Sequence, residues 1–127
     1  MSRPTASTAY KLADAAEWRA AQESGAYDGS TADRADGFIH LSTASQLPGT
    51  ARKHYAGRNG LILAAVDLEA LGEALRWEPS RGGDLFPHVY GPLPLSVTGP
   101  ARALEVDADG LPRFADGAIV WPEDDAA

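Results

Sequence analysis

Leu61-Ile62-Leu63-Ala64-Ala65-Val66-Asp67 is the clearest strand in this chain, and it stands among short apolar segments separated by glycine- and proline-bearing turns. A run of this length, preceded by the turn Gly57-Arg58-Asn59-Gly60, reads as a strand. Upstream, a strand is expected to begin at 9–12. Asp14 is placed to cap a helix running to about Ser24, with Trp18 and Ala21 inward and Gly25 at its end. Residues 27–33 read as a turn-rich loop, and Gly37 to Leu41 as a central strand. Ser42 or Thr43 is placed to cap a second helix over roughly 44–55, with Pro48 suited to its first turn. A short helix over 68–75 and strands at 76–78, 86–90, 95–98, 101–106 and 118–121 complete the pattern. Helices and strands alternate early and strands dominate late. That order points to an α+β fold with a mostly antiparallel sheet rather than a doubly wound parallel one.

At 127 residues the chain fits one domain, expected over 9–122, between a flexible leader at 1–8 and an acidic flexible tail at 123–127. The formal net charge is −7, with 11 basic residues against 18 acidic ones. Binding to a phosphate backbone depends largely on lysine and arginine, so general nucleic-acid binding is disfavoured, while a local pocket for one small phosphorylated ligand stays open. With no cysteine there is no disulfide framework, thiolate nucleophile or cysteine-ligated zinc. No apolar run approaches the roughly 20 residues that span a bilayer, and residues 1–8 carry no signal-type hydrophobic segment, so cytoplasmic residence is expected. The oligomeric state is not legible.

Two of the three histidines lie in or beside apolar runs. In Gly37-Phe38-Ile39-His40-Leu41-Ser42-Thr43, a strand would put His40 on one face with Phe38 and Ser42. In Glu78-Pro79-Ser80-Arg81-Gly82-Gly83-Asp84-Leu85-Phe86-Pro87-His88-Val89-Tyr90-Gly91, it would put Phe86, His88 and Tyr90 on one face. Buried polar groups cost free energy unless they are hydrogen-bonded. Each motif is therefore either part of a small polar pocket or a core network satisfied by backbone and neighbouring hydroxyls. Glu78, between Trp77 and Pro79, is either a partly desolvated carboxylate with a raised pKa or an exposed strand residue. Phe86, His88 and Tyr90 form either an aromatic wall for a flat ring or ordinary core, and Arg81 meets either a phosphate or solvent. Ser42 and Thr43 either cap the helix or belong to an anion site at its start. His54, within Arg52-Lys53-His54-Tyr55, reads as a surface residue, which leaves a three-histidine metal site without support, and no metal is expected. Neither Gly-x-Ser-x-Gly nor a dinucleotide-type glycine loop is present.

These motifs resemble a bacterial family known only as domain of unknown function nine-five-two, over Tyr10 to about Val97. The resemblance rests on Tyr10-Lys11, Trp18, Gly25-x-Tyr27, Asp36-Gly37-Phe38-Ile39-His40-Leu41-Ser42, Asp67, Trp77-Glu78 and Phe86-Pro87-His88-Val89-Tyr90-Gly91. More distantly, Ile39-His40-Leu41-Ser42, the strand closing on Asp67 and Trp77-Glu78-x-Ser80-x-Gly82 are similar to the core of the NAD-dependent RNA 2′-phosphotransferases. Those belong to the ADP-ribosyltransferase-like superfamily. The likeness implies split, mostly antiparallel β-sheets with two or three short helices, NAD as a substrate in the cleft, His40 near it and Glu78–Tyr90 on the opposite wall. It implies that Glu78 stabilises an oxocarbenium-like cation at the nicotinamide–ribose bond, with His40 and Ser42 orienting the ligand. Lys11, Arg52 or Arg81 would offset pyrophosphate charge, Tyr90 or Phe86 would flank the base, and Thr43, Ser80 and His88 would complete the ligand contacts. Two positions depart from that pattern: the first strand reads Tyr10-Lys11-Leu12 where His-Gly-Ser/Thr is common, and Asp36 stands where the phosphotransferases carry arginine. The alternatives are a non-catalytic nucleotide- or peptide-binding module and a purely structural network of His40, His88 and Glu78.

Overall fold

The computed structural model describes residues 7–116, and the strand expected at 118–121 lies outside them. In chain order the elements are β1 (Thr8–Asp14), α1 (Ala15–Ser24), β2 (Ala26–Tyr27), α2 (Thr31–Asp36), β3 (Ile39–His40), α3 (Leu47–Tyr55), β4 (Leu61–Asp67), β5 (Leu75–Pro79), β6 (Leu85–Val89), β7 (Leu93–Pro94), β8 (Arg102–Val106) and β9 (Pro112–Phe114). Short 3₁₀ turns lie at Glu69–Ala74, Arg81–Gly83 and Leu95–Val97. Three antiparallel sheets result: β1-β4-β8-β9, the pair β2-β7, and β3-β6-β5. The fold is α+β, with antiparallel sheets and few short helices. Among the described residues no helix is long and apolar enough to cross a membrane.

β4 reads as a continuous apolar run because both of its faces are buried. Ile62, Ala64 and Val66 face a core shared with Trp18, Tyr27, Ile39, Leu41 and Val89. Leu61 and Leu63 face a second core with Leu47, Ala51, Leu104, Val106 and Phe114. Side chains alternate along a strand, so one run of mixed aliphatics supplies both layers. Asp14 Oδ1 accepts hydrogen bonds from the Ala16 and Glu17 amides at 2.9 and 3.1 Å, which starts α1 where a cap was expected. Trp18 and Ala21 are its buried residues and Gly25 closes it. Burying an aromatic of this size contributes roughly 3 kcal/mol, which anchors α1 to the first core.

The structure corrects several local expectations. The segment read as loop at 27–33 contains the start of α2, whose cap is reciprocal: Asp33 N–H donates to Ser30 Oγ and Ser30 N–H donates to Asp33 Oδ2. Six residues present no apolar stripe, so hydrophobic periodicity is silent there. The expected central strand at 37–41 shrinks to two residues on a sheet edge, because Gly37 ends α2 at φ +88 and Ser42 turns away to bridge Tyr10. Only glycine takes that left-handed angle without cost. The second helix begins at Leu47 rather than Ala44, and neither Ser42 nor Thr43 caps it. Instead Thr43 and Gln46 bond each other across a preceding turn. The strand expected at 95–98 is a 3₁₀ turn in which Leu95 O accepts from both the amide and the hydroxyl of Thr98. The short partners β2, β7 and β9 were not expected; two or three residues carry too little pattern to read.

Candidate functional site

The chain from Ile39 to Ser42 stitches the two larger sheets together. His40 pairs with His88 in β6, while Tyr10 N–H donates to Ser42 O at 2.8 Å and Ser42 N–H donates to Tyr10 O at 3.0 Å. The open space beside this seam is a cleft of about 430 Å³. Its wall includes Lys11, Asp33, His40, Ser42, Phe86 and His88.

Lys11 shares its strand face with Ala9 and Ala13, so its side chain is carried into the first core, where it is 3% exposed. A charge in that position needs a partner. Lys11 Nζ donates to Asp33 Oδ2 at 2.8 Å and to the His40 carbonyl at 3.0 Å. Asp33 is as deeply buried, and its other oxygen faces His40 Nδ1 at 2.6 Å and accepts from the His40 amide at 3.2 Å. Burial alone would raise the Asp33 pKa, but the bonds from His40, Lys11 and the Ser30 amide hold it well below the usual carboxylate range. Burial pulls the Lys11 ammonium below its usual range, against the upward pull of Asp33. His40 Nε2 faces Asp36 Oδ2 at 2.9 Å, so both of its ring nitrogens meet carboxylates.

The two histidines, separated by 48 positions in the chain, are cross-strand neighbours whose ring centroids lie 5.4 Å apart, edge to face. Phe38 packs on the pair, stacked on His88 at 4.1 Å and tilted against His40 at 4.7 Å. His88 Nδ1 lies 2.7 Å from Glu78 Oε1, and the same oxygen accepts from the Tyr90 hydroxyl at 2.8 Å. These bonds hold the Glu78 carboxyl below its ordinary range, and Glu78 in turn raises the Tyr90 phenol. An ionised carboxylate only accepts, so the hydrogen of a neutral His88 ring sits on Nδ1 and Nε2 is the acceptor. His88 is 3% exposed, and its Nε2 has no hydrogen-bond partner among the described residues. A buried ring nitrogen in that state is costly unless a ligand or water meets it.

Of the residues singled out from the sequence, Lys11, His40, Ser42, Ser80, Phe86 and His88 line the cleft. Glu78 does not; it reaches the cleft through His88. Tyr90 stands beside it, 37% exposed, with Arg76 over its ring at 4.9 Å. Ser42 Oγ is engaged by Thr50 Oγ1 at 2.8 Å, and Thr43 belongs to the turn before α3. Lys11 and Arg52, expected as counter-charges to a pyrophosphate, have these surroundings. The Lys11 charge is paired with Asp33, and Arg52 packs against Gly110, outside the cleft lining. Arg81 opens the 3₁₀ turn that joins β5 to β6. Sequence reading passed over Asp33, which the Ser30-x-x-Asp33 spacing of a reciprocal cap could have flagged. It also missed Asp14, Glu17 and Arg58 as cleft residues, and no local signal marks them. Among the described residues no group of three or more histidine and acidic side chains is arranged to hold a metal ion.

The contact at Gly110 carries a measurable consequence. Its φ is +87, and an added Cβ would lie 2.6 Å from Arg52 Cγ and 2.8 Å from Arg52 Cα. Gly110→Ala is expected to lose about 2 kcal/mol of stability from the backbone angle and the displaced helix. A thermal melt unchanged from the parent would show that α3 yields freely at this point.

Fold and site together define a small α+β protein whose two principal antiparallel sheets are stitched beside a cleft bearing two carboxylate-bound histidines. Residues 12–98 match the family described as protein of unknown function (DUF952), and the chain belongs to that family. Among solved structures it is similar to the crystal structure of protein CC0527 from Caulobacter crescentus, at 49% identity and a TM-score of 0.79, covering 86% of this chain and 96% of that one. The solution NMR structure of CC0527 is similar at 48% identity and a TM-score of 0.74, covering 87% and 96%. No curated protein matches the chain.

Proposed function

We propose that this protein binds a small nucleotide-type ligand, NAD or an ADP-ribosyl compound, in the cleft beside β3 and β6. The observation that carries this reading is His88: buried, lining the cleft, held through Nδ1 by Glu78, and with Nε2 unpartnered. An acceptor in that state suits a ribose hydroxyl or the proton of an attacking nucleophile. Phe86 lines the same cleft and contributes apolar wall to it. The split antiparallel sheets and the sequence likeness to ADP-ribosyltransferase-type proteins support the ligand class.

The reaction such a site favours is cleavage at the nicotinamide–ribose bond. The C1′–N bond breaks, nicotinamide leaves neutral with the electron pair, and water adds to the oxocarbenium-like carbon while its proton passes to His88 Nε2. Carboxylates on the wall favour the cationic state. Glu78, behind His88 rather than on the wall, is a positioning residue here instead of the group that meets the cation. The first-strand position filled by Lys11 has a structural task, since its ammonium ties β1 to α2 and β3.

Isotopically labelled protein titrated with NAD and with ADP-ribose tests the reading by NMR. Saturable amide shifts at 39–43 and 86–90 are expected, and they would justify assaying nicotinamide release. No shifts at millimolar ligand would overturn the nucleotide assignment. Shifts without nicotinamide release would make the protein a binding module with this cleft.

A further inference from the structure

Gly57-Arg58-Asn59-Gly60 lies between α3 and β4, and Asn59 is the single asparagine of the chain. The turn is tied at both ends. Arg58 N–H donates to Tyr55 O at 2.9 Å, and Arg58 O accepts from the Val106 amide in β8 at 2.8 Å. Gly60 O accepts from the Ala15 amide, at the start of α1, at 2.8 Å. Between these ties the Asn59 carboxamide and the Gly60 N–H make no hydrogen bond among the described residues. Both residues are exposed, and a Cβ built on Gly60 would meet no atom within 4 Å beyond its chain neighbours. A glycine nitrogen has no Cβ beside it to shield it, so an unengaged one is a nucleophile for the preceding carboxamide. The Asp-Gly pairs at 36–37 and 109–110 differ in this respect. There the glycine N–H donates to Asp33 O and to Asp107 O, each at 2.9 Å.

We propose that Asn59 is a site of spontaneous covalent modification, its carboxamide becoming a carboxylate through a cyclic imide with Gly60. The Gly60 nitrogen gives its proton to hydroxide and attacks Asn59 Cγ. The new N–Cγ bond closes a succinimide as the Cγ–Nδ2 bond breaks, and the nitrogen leaves as ammonia with a proton from water. Water then opens the ring at either carbonyl. Attack at Cγ gives aspartate, and attack at the main-chain carbonyl gives isoaspartate. Carboxamide and water thus become carboxylate and ammonium, with no oxidant or reductant involved. The isoaspartyl form adds a carbon to the main chain between two ends held by β8 and α1, so both ties cannot be kept. It also sets a carboxylate beside Arg58, a cleft residue whose guanidinium lies over the Tyr55 ring at 5.1 Å. The modification needs no ligand and stands apart from the nucleotide reading.

The test is to age the folded full chain in mildly alkaline buffer made with heavy-oxygen water, beside Asn59→Ser, and to map the peptides by mass. The parent is expected to gain the mass of an amide-to-acid exchange at position 59, with heavy oxygen in the new acid and the isoaspartyl form in excess. Asn59→Ser is expected to stay unchanged. No conversion at 59 in the folded chain, while the urea-unfolded chain converts in the same buffer, would overturn the proposal. An equal mass gain in Asn59→Ser would overturn it too, since the change would then lie elsewhere. Amide hydrogen exchange reads the effect on the turn. The isoaspartyl protein is expected to lose protection at Ala15 or Val106, whereas Asn59→Asp, which keeps the main-chain length, retains it at both. Full protection at both amides in the isoaspartyl protein would overturn the effect on the two ties.

Discussion

Replacing Asp33 by alanine is expected to cost about 3–5 kcal/mol of folding stability at neutral pH, read from the urea midpoint. The size follows from what is left behind. Lys11 would keep its charge in a core position where it is 3% exposed, and the His40 amide and Nδ1 would lose their acceptor. The change also deletes the reciprocal cap of α2, which is worth about 1 kcal/mol by itself. A double variant, Lys11→Met with Asp33→Leu, removes both charges and is expected to recover much of the loss, because an apolar pair needs no desolvation. A loss below about 1 kcal/mol for Asp33→Ala would mean that the network contributes little to stability.

The same carboxylate sets an acid limit. Its pKa is lower in the folded protein than the ordinary 3.8, so below that value the unfolded chain binds the proton first. The Asp33 contribution is therefore complete above about pH 5 and falls as pH drops through 4 toward the depressed folded value. Denaturation midpoints measured across that range should decline less steeply in the double variant than in the parent. Parallel slopes would assign the acid sensitivity to other groups.

His88→Gln is expected to abolish the NAD-induced amide shifts and to lower nicotinamide release by about 10²–10⁴-fold. Glutamine occupies part of the imidazole volume and can still meet Glu78, but it cannot present an acceptor nitrogen at the Nε2 position or take up a proton there. Glu78→Gln is the informative companion. A neutral amide can offer its N–H to His88 Nδ1, which turns the ring to the tautomer carrying hydrogen on Nε2 and converts the acceptor into a donor. Loss of the ligand response in both variants, with melting temperatures near the parent value, supports the role of Nε2. A full response in Glu78→Gln would overturn the positioning role of that carboxylate. Tyr90→Phe removes one of two bonds to the same Glu78 oxygen and is expected to have the smaller effect.

Local signals carried the elements whose causes are local. Asp14 before Ala15 and Gly25 after Ser24 delimit α1, and the apolar run Leu61–Val66 marks β4, because caps and buried strands leave their pattern in neighbouring residues. Phe38 and His40 do lie against each other, although Phe38 precedes the two-residue strand and alternation is not the cause. The same logic failed at 95–98, where the segment satisfied itself through a Thr98–Leu95 turn, and at 30–36, where capping rather than periodicity makes the helix. The gathering of Asp14, Glu17, Asp36 and Arg58 at the cleft was illegible for a different reason. Asp14 ends β1, Glu17 lies in α1, Asp36 ends α2 and Arg58 sits in the turn after α3, and nothing in those segments announces a common cavity.

What the sequence by itself determined is the α+β character, the ends of α1, the strand β4 and the family, along with the two histidine motifs as places where polar groups meet apolar surroundings. The tertiary structure alone decided that His40 stands across from His88, that Lys11 is spent on Asp33, and that Glu78 lies behind a histidine rather than on the cleft wall. The physical reason is range. Propensity, capping and alternation act over a few residues, whereas strand register and the partner of a buried charge depend on which distant segments the sheets bring together.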